Sequence, residues 1–172
     1  MSAIALSPFS WATNVANNSV QAHSGFETSG YYSMLQGSQY ADAGRLSKAE
    51  ALLKYANEQL PQSVINTFSY ASVLYDEANA TSSSQAKIEK LRQAQWMFRR
   101  VTNLNPEFVL GYYKLSETSW DLQQYDAIVT YLKEGLEVSP DDVLMHYSLG
   151  LAYEKLNRAS EAMTQYQWVL AN

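Results

Sequence analysis

The 172 residues carry a net charge of −5, from 12 Lys and Arg against 17 Asp and Glu, and 47% of them are apolar. That is enough for one real core and too apolar for a chain disordered throughout. The acidic balance argues against a nucleic-acid partner, whose phosphates must be neutralised. With no cysteine there is no disulfide framework, thiol catalysis or zinc–thiolate site.

Taken in chain order, residues 1–29 come first, "MSAIALSPFSWATNVANNSVQAHSGFETS", with Glu27 as the one charged side chain. Phe9, Trp11, Val15 and Val20 suit an N-terminal arm that packs on the rest of the chain or on another subunit, with a short helix near 11–22. The opening residues have no Lys or Arg before a long apolar stretch, so no secretory signal is expected and a cytoplasmic location is. No apolar run reaches eighteen residues, and no membrane insertion is expected.

From Gly30 onward the chain repeats itself. Gly150 and Ala162 are twelve apart, and so are Ser116 and Ile128, 34 residues earlier. Ala94 stands 34 before Ile128, Pro106 stands 34 before Pro140, and Gly37, Ala49 and Pro61 keep the spacing of twelve. Small residues at Gly37, Ala49, Ala94, Gly150 and Ala162 would let paired helices approach closely. Tyr40, Tyr75 and Tyr153 would fill the gap to the next pair. A hairpin alone leaves an apolar face wet, so stacking must bury it. Pro61, Pro106 and Pro140 fall between hairpins, where a missing N–H does least harm. "SPDD" at 139–142 reads as a helix start capped by Ser or Asp.

These positions resemble the tetratricopeptide repeat family, which has an aromatic, Leu-Gly and Tyr on a first helix and Ala, a large apolar residue and Pro on a second. The copies read His146, Leu149-Gly150, Tyr153, Ala162, Tyr166; Tyr112, Leu115-Ser116, Ser119, Ile128, Leu132, Pro140; Phe68, Ala71-Ser72, Tyr75, Ala94, Phe98, Pro106; and Gln36-Gly37, Tyr40, Ala49, Leu53, Pro61. The resemblance implies an all-α fold, a right-handed superhelix of stacked antiparallel helical hairpins. Its copies would span 30–63, 64–107, 108–142 and 143–172. The second copy holds ten extra residues, "DEANATSSSQ" near 76–85, expected as a loop between its helices.

The same resemblance implies a non-enzymatic binding module whose first helices line a concave groove. The candidate residues are Tyr31, Met34 and Ser38 on the first hairpin and Ser69, Val73, Asp76 and Glu77 on the second. Tyr113, Glu117, Trp120 and Asp121 follow on the third, then Tyr147, Leu151, Glu154 and Lys155 on the fourth; spacings of three and four keep each set on one side. A groove of Tyr, Trp, Leu and Met edged by acids suits a protein or peptide partner, an apolar segment with basic flanks. Only Lys114 stands near a position where one subgroup clamps acidic peptide C-termini, which argues against that clamp.

A second interface is expected at Trp168 and Val169 on the last helix, which no polar capping helix follows, and at Arg99 and Arg100. These arginines share a basic stretch with Lys87, Lys90 and Arg92. It would join copies of this chain, or a different subunit of a larger assembly such as a secretion or pilus complex. Two histidines, His23 and His146, no phosphate loop and no nucleophile elbow leave no catalytic residue, metal site or cofactor to propose.

Overall fold

The structure, a computed structural model, describes residues 25–172; the helix expected near 11–22 lies outside them. The chain divides into two compact units, one ending at Met97 and the other beginning at Phe98. The described residues form helices and no strand. The first unit holds α1 (Gly25–Asp42), α2 (Leu46–Gln59), α3 (Val64–Ala80) and the start of α4 (Ser84–Leu104). The second holds the end of α4, then α5 (Val109–Asp121), α6 (Tyr125–Val138), α7 (Val143–Lys155) and α8 (Ala159–Ala171).

One spacing explains why the second helix of each hairpin buries the face it does. Ala49, Leu53 and Ala56 are buried on α2, and Ala94, Phe98 and Val101 on α4. Ile128, Leu132 and Gly135 are buried on α6. Each triplet is i, i+4, i+7, a single stripe of an α-helix. Full burial of a leucine such as Leu53 is worth about 2–3 kcal/mol.

The small residues sit where helices come closest. A Cβ on Gly37 would lie 2.7 Å from Leu53 Cγ, and one on Gly150 would lie 2.4 Å from Tyr166 Cε1. Caps set the boundaries between hairpins. The Ser63 side chain accepts from Asn66 N–H at the start of α3, and Asp142 accepts from Met145 N–H at the start of α7. Asp142, not Ser139, is therefore the cap in "SPDD".

Three of the four turns within hairpins are built alike. Gly44, Gln123 and Asn157 all have left-handed backbone, at φ 71°, 57° and 58°. In each, the next residue's N–H returns to the last turn of the helix: Arg45 to Tyr40 O, Gln124 to Ser119 O and Arg158 to Tyr153 O, at 2.8–2.9 Å. This left-handed stop satisfies carbonyls that a helix end leaves unpaired.

The second hairpin departs from that plan, and from the expected loop. Residues 76–80 continue α3 and α4 begins at Ser84, so only Thr81–Ser83 are non-helical. The extra residues lengthen the helices to 17 and 21 residues. Two interactions explain the extension. Ala78 is buried, and Glu77 holds Lys90 across the hairpin at 2.6 Å, with Glu50 accepting from the same ammonium at 2.7 Å.

Candidate functional site: the α5–α7 face of the second unit

The second unit places two equivalent sets of side chains 34 residues apart: Tyr113, Glu117, Trp120 and Asp121 on α5, and Tyr147, Leu151, Glu154 and Lys155 on α7. Glu117, Asp121, Glu154 and Lys155 are exposed and Leu151 is half-buried. Tyr147 is 47% exposed, and its ring lies 6.0 Å from that of Tyr166 on α8.

Trp120 is exposed but held. It meets Tyr125 edge-on at 5.4 Å, and Lys155 Nζ lies 5.9 Å from its ring centroid. Lys114 Nζ donates to Glu117 at 2.6 Å, which leaves the cation nearest a peptide clamp already engaged. Tyr113 is less available, since its hydroxyl donates to the Asp142 carboxylate. Burial first, then that hydrogen bond, hold its phenol proton well above the ordinary tyrosine value.

The first hairpins behave differently. Met34 and Ser38 on α1, and Ser69 and Val73 on α3, are buried. Tyr31 is half-buried. Asp76 and Glu77 on α3 are half-buried, so of the residues expected to line the groove the exposed aromatic and acidic ones are those of α5 and α7.

The residues expected at a second interface are also distributed unevenly. Arg99 makes a two-pronged ion pair with Glu134 and lies over the Tyr131 ring, and Arg100 is half-buried. Trp168 stacks on the His146 ring at 3.6 Å, and Val169 is half-buried. His146 is itself held at both nitrogens, by Pro140 O at 3.0 Å and Gln165 Oε1 at 2.7 Å. The exposed apolar side chains of α8 are instead Met163 and Leu170, the latter 87% exposed. Beside them a cleft of about 330 Å³ is lined by Asn157, Ala162, Met163 and Tyr166. The run Ala159, Ala162, Met163, Tyr166, Leu170 follows helical spacing, the signal that could have separated this face from the one bearing Trp168.

Sequence reasoning also passed over Trp96. It is 62% exposed on α4, at the mouth of a cleft of about 370 Å³ with Tyr70, Leu74, Arg92 and Met97. Its position four residues after Arg92 put it on the basic face. Among the described residues no group of three or more His, Asp or Glu could hold a metal ion, and no helix is long and apolar enough to cross a membrane.

Residues 111–142, which span α5 and α6, match the tetratricopeptide repeat family. The chain carries a tetratricopeptide repeat. Solved structures with this fold cover nearly all of it. MamA from AMB-1 superposes with a TM-score of 0.71 at 16% identity, over 95% of this chain and 86% of that one. Another MamA structure gives 0.64 at 23% identity, over 95% and 87%. A thermophilic tetratricopeptide repeat protein of Thermus thermophilus gives 0.65 at 15%, over 95% and 80%. No curated protein sequence matches the chain. Over the described residues the fold is that of tetratricopeptide repeat proteins, antiparallel helical hairpins.

Proposed function

We propose that the protein is a non-enzymatic interaction scaffold that holds a peptide or helical segment of a partner on the α5–α7 face. The observation that carries this reading is the pair of exposed aromatics, Trp120 and Tyr147, set among Glu117, Asp121 and Glu154. Large aromatics that stay at a surface are typical anchors, and acids around them favour a partner with Lys or Arg beside its apolar residues. A protein surface of this kind suits the fold, since within the second unit α5 and α7 each add a strip of side chains at the same repeat positions.

Peptides selected by display against the folded protein test the reading. They are expected to pair apolar anchors with basic flanks and to bind the Trp120→Ala/Tyr147→Ala variant at least tenfold more weakly. Peptides that bind both forms equally would sink the proposal. Tyr113 is left unchanged, because its bond to the α7 cap makes a loss there ambiguous.

A second reading rests on a different observation, the exposed Met163 and Leu170 of α8 beside the cleft at Tyr166. In this reading the chain is a subunit of a larger assembly, held at its last hairpin. Met163→Glu with Leu170→Glu is then expected to disperse the assembly while peptide binding at Trp120 persists.

A further inference from the structure

Trp120 and Trp168 both have partners within the chain: Trp120 meets Tyr125 and Lys155, and Trp168 stacks on His146. Trp96 on α4 is 62% exposed and has no aromatic or cationic partner among the described residues. It ends a stripe. Ile88, Arg92 and Trp96 stand four apart on one side of α4, and all three are exposed. The cleft of about 370 Å³ beside Trp96 lies wholly in the first unit, with the buried Tyr70 and Leu74 in its lining. A large aromatic left at the surface next to an open cleft has the form of an interface anchor, not of a scattered apolar residue.

Charge states what kind of partner fits. α4 carries five Lys and Arg against Glu89 alone, whereas the residues from Val109 onward carry nine Asp and Glu against four Lys and Arg. Part of this opposition is used inside the chain. Arg99 pairs with Glu134, and Lys90 is shared by Glu50 and Glu77. Lys87 and Arg92 make no ion pair among the described residues, and Glu89 already accepts from Gln93. The stripe is therefore a helical segment with apolar anchors and unused basic groups. That is the chemistry the α5–α7 face takes.

We propose that the chain is its own partner: α4 of one copy docks through Ile88, Arg92 and Trp96 on the α5–α7 face of a second copy. The inference rests on the binding role of that face and names its occupant. Trp96 packs against Trp120 and Tyr147, and the cleft at Tyr70 receives an exposed ring of the other copy. Lys87 and Arg92 face Glu117, Asp121 and Glu154, which outnumber Lys114 and Lys155 on that side. Two different surfaces meet, so every copy offers both halves of the contact. Exposed charges at its rim speed the encounter and make it weaken with salt.

Sedimentation velocity of the full chain tests this. The wild type is expected to associate as its concentration rises, at least tenfold more weakly in high salt. Arg92→Glu/Trp96→Ala should sediment as a monomer, and so should Trp120→Ala/Tyr147→Ala. Glu117→Lys/Glu154→Lys, which keeps the aromatics and changes only exposed acids, should do the same. Arg92→Glu/Trp96→Ala mixed with either α5–α7 variant should form a one-to-one complex, because each retains the half that the other lacks. A wild type that stays monomeric, or mixtures that stay unassociated, overturn the proposal. An association that survives Arg92→Glu/Trp96→Ala assigns it to another surface and overturns it as well. Displayed peptides keep the two readings apart, since they should bind Arg92→Glu/Trp96→Ala as tightly as the wild type. Peptide binding without self-association removes the second copy alone and leaves the role of the face standing; loss of both removes both.

Discussion

The hydroxyl of Tyr113 on α5 donates to the carboxylate of Asp142, the same group that caps α7 through Met145 N–H. One side chain of the third hairpin thereby fixes the start of the fourth. The cap receives two donors, so it is satisfied only when the two hairpins are in register.

Tyr113→Phe is expected to cost about 1.5–3 kcal/mol at neutral pH, the range for a hydrogen bond to a charged group. The pH dependence has a definite sign. Burial and the bond to Asp142 raise the phenol's pKa above its ordinary value near 10, so the folded chain keeps a proton that the unfolded chain loses. This contribution is intact below about pH 10 and is lost as pH rises through the raised value. Urea unfolding of the wild type should weaken above pH 10, and the Phe variant should weaken less steeply. Tyr70, Tyr112 and Tyr166 are also raised by burial, so part of the slope survives. Identical slopes in both proteins would contradict the assignment.

Gly150→Val should be strongly destabilising, by about 2–4 kcal/mol. Its Cβ would enter the Tyr166 ring, and a β-branched side chain cannot be accommodated by a small shift. In a double-mutant cycle, Tyr166→Ala should return a substantial part of that loss, because the clash and the ring disappear together. Strict additivity of the two changes would show that they do not meet.

Gln123→Gly is expected to stabilise the protein by up to about 1 kcal/mol. Gln123 holds a left-handed conformation that disfavours a side chain, whereas glycine adopts it freely. Asn157→Gly at the equivalent turn should change less, since asparagine tolerates that region better. Thermal melts of the two variants side by side decide the matter.

Lys90→Met should cost about 1–2 kcal/mol at neutral pH, between the values for exposed and buried pairs. It removes the cation shared by Glu50 and Glu77 and leaves two carboxylates facing each other. Burial already raises the Glu77 pKa, so the folded state favours the protonated acid, and that preference is lost as pH rises above the ordinary glutamate value. The cost in the variant should therefore shrink as pH falls toward 4. A cost that stays constant with pH would mean that the ion triad carries no weight.

The amino-acid sequence by itself determined the periodic part of this protein. Residues packed inside a hairpin must recur at helical spacing and stay small where backbones meet, and these demands are local enough to read as Ala49, Leu53 and Ala56 or as Gly150 and Ala162. The left-handed stops at Gln123 and Asn157, 34 residues apart, keep the same repeat in the backbone. Tertiary structure decided which copies of an outward position remain open. Met34 and Val73 occupy the same repeat places as Tyr147 and Leu151, yet they are buried, because exposure depends on what lies across a face and not on the helix that bears it. It also decided the fate of the ten extra residues. Their Ser-rich composition suggests a loop, but burial of Ala78 and the Glu77–Lys90–Glu50 cluster across the hairpin keeps most of them helical. Such pairings join residues tens of positions apart, and no local pattern records them.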